Sequence, residues 1–130
     1  MLEEAARAAF EKAAELKTDK PYIVGVTRLT SDADTGDILK EVLDAARIAK
    51  DAGLDGVVCS ATETKMVRDA FGADFVIVNP GIRSKAAKAD DQKRTATAKE
   101  AIEAGASFIV VGRPILEAKD PLRAIEELLS

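Results

Sequence analysis

The chain has 130 residues, 47% of them hydrophobic and 32% charged, with a formal net charge of -4 and no long block of one sign. That length supports one domain with a real core and is too short for two, and the mixed charge argues against an extended nucleic-acid or membrane-binding surface. The chain contains no histidine, which excludes histidine-based triads and histidine-ligated metal sites and leaves acid-base chemistry to carboxylates and lysines.

Taken in chain order, two periodicities alternate. Leu2, Ala5, Ala6, Ala9, Phe10, Ala13 and Leu16 lie on one helical stripe over residues 1–17, so the first element is a helix. This opening segment is charged and amphipathic throughout, unlike a signal peptide, and no apolar run approaches the roughly 18 residues of a membrane span. A soluble, cytoplasmic protein is expected. "PYIVGVTRLTS" (21–31) is a first strand, and after the polar "DADTGD" helical spacing returns from Ile38 to Ala52. "LDGVVCS" is the second strand. Its Cys59 has no second cysteine to pair with and reads as a buried thiol. Ser60 and Glu63 form a capping-box pattern that opens a helix to about Phe71. "DFVIVNP" is the third strand, followed by the long polar loop "GIRSKAAKADDQKRTA". Thr97 and Glu100 repeat the capping box, and that helix runs to Gly105. "SFIVVG" is the fourth strand. Asp120 and Pro121 are an N-cap and first helical residue for a last helix carrying Leu122, Ile125, Leu128 and Leu129 inward.

Three strands are introduced alike, by "AGLDGVVCS", "FGADFVIVNP" and "AGASFIVVGRP". A glycine ends each preceding helix and a β-branched run follows, which is a helix C-cap feeding a buried parallel strand. Duplication and ordinary loop chemistry both account for the likeness. The order is α(βα)4, a single α/β domain over 1–130 with a four-stranded parallel sheet and right-handed crossovers. A small open sheet and half of an eight-stranded barrel both satisfy it. A complete barrel, at about 250 residues, does not fit.

In either architecture, function lies at the C-terminal ends of the strands. There the chain offers Thr30 and Ser31, Ser60, Pro80 to Arg83, and Gly112 with Arg113. Glycine lets an anion approach backbone N–H groups, and arginine presents a planar fork matched to phosphate oxygens. The competing reading is that Arg83 and Arg113 pair with carboxylates on the same rim, for which Asp90 and Asp91 are available. No P-loop or dinucleotide glycine pattern is present, so nothing supports nucleotide hydrolysis or hydride transfer.

Five segments in fixed order, "GVTRLTS", "GLDGVVCS", "NPGIR", "DDQKR" and "VVGRPI", resemble the C-terminal half of orotidine 5'-phosphate decarboxylases. The resemblance implies that these are strands five to eight of a (βα)8 barrel. It also implies that Thr30 lies at the pyrimidine and ribose end of the ligand, Pro80 near the base, and Arg83 at the phosphate. Gln92 matches a loop glutamine that bridges phosphate and base, and Gly112 and Arg113 match backbone and side-chain phosphate donors. The implied ligand is a pyrimidine nucleotide 5'-phosphate, orotidylate or uridylate (UMP), with no metal or organic cofactor. Two residues depart from the pattern: Arg28 where an uncharged residue is usual, and Asn79 where threonine is common.

The family's catalytic Asp-x-Lys-x-x-Asp motif lies in the other half. Asp91 and Lys93 match only its start, with Ala96 in place of its second aspartate, and the fragment lies inside the segment that matches the phosphate loop, so it reads as a coincidence. The resemblance therefore implies a phosphate grip without the proton-transfer groups, and no catalytic residue is assigned. A half-barrel leaves two strand edges unpaired, which suggests three outcomes. The chain forms a homodimer through its open edges, it forms a heteromer with an N-terminal half-barrel chain that supplies catalysis in pyrimidine biosynthesis, or it is a non-catalytic scaffold or engineered fragment.

Overall fold

The computed structural model describes residues 1–28, 37–83 and 96–130. In it, α1 (Leu2–Leu16) leads into β1 (Val24–Val26), followed by α2 (Ile38–Asp51), β2 (Gly56–Val58), α3 (Ala61–Phe71) and β3 (Val76–Asn79). Then come α4 (Ala98–Glu103), β4 (Phe108–Ile109), the single turn α5 (Arg113–Leu116) and α6 (Pro121–Leu129). The strands form one sheet in the order β1-β2-β3-β4, and every neighbouring pair is parallel.

Alternation along each strand divides the sheet into two faces. Val57, Cys59 and Ile77 are buried with Val42, Ala46 and Ala49 of α2 and Val67 of α3. Each of the valine and isoleucine side chains contributes roughly 1.5–3 kcal/mol on leaving water. Val26, Val58, Val78 and Phe108 stand side by side in register on the opposite face. Among the described residues no helix covers that face, and Val26 and Phe108 remain 59% and 50% exposed. Tyr22 and Phe108 bring their ring centroids to 5.9 Å, although their strands sit at opposite edges, about 14 Å apart in a flat sheet. The sheet is therefore curled towards its helix-free face.

The helices line the other face in chain order, α2 on α3, α3 on α4 and α4 on α6, while α1 joins through Ala6, packed on the α2 cluster. Both capping boxes form, Ser60 with Glu63 and Thr97 with Glu100, and Asp120 accepts the Arg123 N–H. Gly53, Gly72 and Gly105 follow their helices at φ of 81°, 87° and 105°, the left-handed geometry that the sequence pattern required. At the start of β1, the Asp55 carboxylate accepts the Ile23 N–H at 2.7 Å and the Lys20 ammonium. Partial burial acts to raise its pKa, but the Ile23 amide and Lys20 outweigh it and hold the carboxyl below its ordinary value.

Three expectations need correction. The edge strands are shorter than their apolar runs, because each has one neighbour and its ladder ends with that neighbour. β4 pairs only through Val78↔Phe108 and Asn79↔Ile109. Gly112 and Arg113 do follow β4, but Arg113 opens the turn α5 where no helix was expected. In α6, only Leu128 reaches the core. Leu122, Ile125 and Leu129 are 75%, 38% and 65% exposed, uncovered by the α4 and α5 that α6 contacts among the described residues. Among the described residues, no helix is long and apolar enough to cross a membrane.

Candidate functional site at the strand ends

The rim at the C-terminal ends of β2 and β3 rests on a buried polar knot. Asn79, fully buried, donates its Nδ2 to the Cys59 carbonyl at 2.9 Å and to Thr64 Oγ1 at 2.7 Å. Thr64 Oγ1 in turn lies 3.0 Å from the Ser60 carbonyl, to which it donates. An unsatisfied buried amide would be costly, so these bonds hold the end of β3 to α3. Asn79 thus faces the helices and fixes the chain entering Pro80.

Beyond Pro80 the chain turns at Gly81, whose φ of 73° strains any side-chain-bearing residue. Ile82 is then buried and bridges to Ala96, and the Arg83 N–H donates to the Ala96 carbonyl at 3.0 Å. The backbone entering Arg83 is thereby anchored to Ala96. On the neighbouring strand, Val110 N–H donates to the Asn79 carbonyl at 2.8 Å, and Val111 packs on the cluster containing Ile82. Gly112 and Arg113 follow directly. No atom lies within 4 Å of where a side chain at Gly112 would start, so its backbone is open to a ligand. Arg83 is half-buried and Arg113 exposed.

Of the sequence-derived site residues, Pro80, Arg83, Gly112 and Arg113 come together on the rim of two adjacent strands. Thr30 and Gln92 lie outside the described residues, as do Ser31, Asp90 and Asp91. Neither the Arg83 nor the Arg113 guanidinium has a carboxylate partner among the described residues. Arg28 is different: it bonds Glu41 of α2 at 3.1 Å and ties the end of β1 to the helix layer. Ala96 is buried in its bridge to Ile82. The sequence reading missed Thr64 as the partner of Asn79. An asparagine ending an otherwise apolar strand was the signal that such a partner was needed.

A curled parallel sheet with helices over one face and its basic residues at the strand C-termini is half of a (βα)8-barrel architecture. Residues 1–128 match the model of the "Orotidine 5'-phosphate decarboxylase / HUMPS family", and the chain belongs to that family. It is 41% identical over 129 residues to an orotidine 5'-phosphate decarboxylase of Pseudoalteromonas atlantica, covering 92% of this chain and 55% of the relative. Against that of Coxiella burnetii it is 46% identical over 118 residues, covering 85% and 50%. The crystal structure of orotidine 5'-phosphate decarboxylase from Lactobacillus acidophilus superposes with a TM-score of 0.71 at 39% identity, over 86% of this chain and 49% of that one. An uncharacterized conserved protein from Geobacillus kaustophilus gives a TM-score of 0.77 at 30% identity, over 99% and 56%. The chain spans about half the length of the curated relatives it matches.

Proposed function

We propose that the chain is the phosphate-gripping, C-terminal half of an orotidine 5'-phosphate decarboxylase barrel. Its ligand is a pyrimidine nucleoside 5'-phosphate, orotidylate or uridylate. Arg83 and Arg113 hold the phosphate with the Gly112 backbone, Pro80 packs near the base, Thr30 contacts the pyrimidine and ribose end, and Gln92 bridges phosphate and base. The observation that carries this reading is the pair of arginines on adjacent strand ends, each with a backbone group hydrogen-bonded and a guanidinium without a carboxylate partner among the described residues. A fork of donors held in this way suits a dianion.

Binding energy at a remote phosphate helps to close a site and stabilise a transition state, but it does not replace a proton donor. Turnover therefore requires the Asp-x-Lys-x-x-Asp residues from the other half of a barrel, and this chain alone does not decarboxylate orotidylate. Calorimetric titration with uridine 5'-phosphate, with uridine as control, tests the grip. Saturable binding of the nucleotide is expected, with Arg113→Ala or Arg83→Ala weakening it at least roughly tenfold, as the loss of a charge-assisted bond implies. If the nucleotide binds no better than uridine, or both variants bind as well as the parent, the chain is a scaffold and this reading fails.

A further inference from the structure

We propose that Thr64 and Asn79 are positioning residues that together set the spacing of Arg83 and Arg113, and through it the phosphate affinity of the rim. The inference rests on the nucleotide reading given above and assigns neither residue a contact with the ligand.

Asn79 is a junction of three strand ends. Its side-chain amide bonds the Cys59 carbonyl beyond β2 and the Thr64 hydroxyl on α3, and its own carbonyl accepts the Val110 N–H beyond β4. The Cys59 N–H donates to the Val78 carbonyl at 3.1 Å, so Cys59 is tied to the end of β3 by a backbone bond and a side-chain bond. Arg83 follows Asn79 by four residues, and Arg113 follows Val110 by three. One buried side chain therefore stands at the root of both arginine-bearing segments.

The regular ladder runs out at this point. β4 pairs with β3 at only two positions, the second being Asn79↔Ile109. Pro80 has no N–H with which to continue, and Gly81 takes a left-handed turn at φ 73°. Where backbone pairing stops, the Asn79 amide fixes the direction in which the rim leaves the sheet. Thr64 completes it, since its hydroxyl accepts from Asn79 and donates to the Ser60 carbonyl at 3.0 Å. Both side chains are 0% exposed, so water does not replace a bond that is lost. A two-armed donor fork works only when its arms are held within about 0.5 Å of their productive places, and these two residues are the buried support for both.

The test compares Thr64→Val, which keeps the shape and removes the hydroxyl, with Thr64→Ser, which keeps the hydroxyl. Amide hydrogen exchange is read by NMR without ligand. In Thr64→Val the amides of Arg83 and Val110, bonded to the Ala96 and Asn79 carbonyls, are expected to exchange at least roughly tenfold faster, while Val76, bonded to the Asp55 carbonyl at the other end of β3, keeps its rate. Calorimetry with uridine 5'-phosphate is expected to show affinity at least roughly fivefold weaker in Thr64→Val, less than about twofold weaker when the same change is made in Arg113→Ala, and unchanged in Thr64→Ser, because the pair acts through the arginines. The proposal is overturned by unchanged exchange at Arg83 and Val110, by equal acceleration at Val76, by the same loss of affinity in both backgrounds, or by Thr64→Ser binding as weakly as Thr64→Val. Should Thr64→Val not fold, Asn79→Ser, which gives up one of the two donors, is read in the same way; failure of both to fold would make the pair a requirement of the fold and not of the rim, and would overturn the proposal too. A parent chain that binds the nucleotide no better than uridine defeats the nucleotide reading and this inference with it, an outcome told apart from the others because the exchange rates need no ligand.

Discussion

The Cys59 thiol sits in the core, 4.0 Å from Thr64 Oγ1. Burial pushes its pKa up to about 11, against the lowering effect of the Thr64 hydroxyl and with a further rise from Glu63. In the unfolded chain a thiol ionises near ~8.5, so above that pH the unfolded state loses its proton first. The contribution is fully present below ~8.5 and is lost as pH rises to about 11, a change of no more than ~3 kcal/mol. Urea unfolding from pH 8 to 11 should show this loss in the parent and a shallower one in Cys59→Ala. Equal slopes would remove Cys59 from the account. At this scale the sequence was an uneven guide. Ser60 with Glu63 and Thr97 with Glu100 were plain because their partners are three residues apart. Arg68 was not plain, because it donates to the carbonyls of Gly72, Ala73 and Phe75 near its own helix end and to Gly105, 37 residues away. Only the fold brings those loops under one guanidinium, and an arginine on a helix otherwise reads as solvent-facing.

At the scale of elements, three helices end in the same pair of bonds. Gly53 N–H reaches the Lys50 carbonyl and Leu54 N–H that of Ala49, and Gly105 and Ala106 repeat this with Ile102 and Ala101. At α1 the pair is Lys17 to Ala14 and Thr18 to Ala13, but the left-handed residue is lysine, at φ 52°. Left-handed backbone costs an ordinary residue roughly 1–2 kcal/mol, partly offset by the entropy that glycine loses on folding. Lys17→Gly should therefore stabilise the chain by about 0.5–1 kcal/mol and raise its Tm by a few degrees. A lower Tm in a thermal melt would show that the side chain of Lys17 does more than occupy the turn. Helix positions were legible because caps and the 3.6-residue period are local. Strand lengths and the buried side of α6 were not, since both depend on neighbours and the sheet has open edges. The turn α5 carried no periodic signal at all.

At the scale of the whole molecule, the alternation of strand and helix was enough to predict a parallel sheet, and it put the proposed site at the C-terminal ends of the strands. Arg83, Gly112 and Arg113 are on that rim. What alternation does not contain is curvature. An open sheet and a barrel segment have the same pattern of elements, and the meeting of Tyr22 with Phe108 separates them here. That contact has a practical side. The chain holds one tyrosine and no tryptophan, so its dominant intrinsic fluorophore stands at the mouth of the hollow, against the ring of the far edge strand. Anything that fills the hollow must change the surroundings of that ring, and the emission of Tyr22 becomes an unlabelled optical gauge of occupancy.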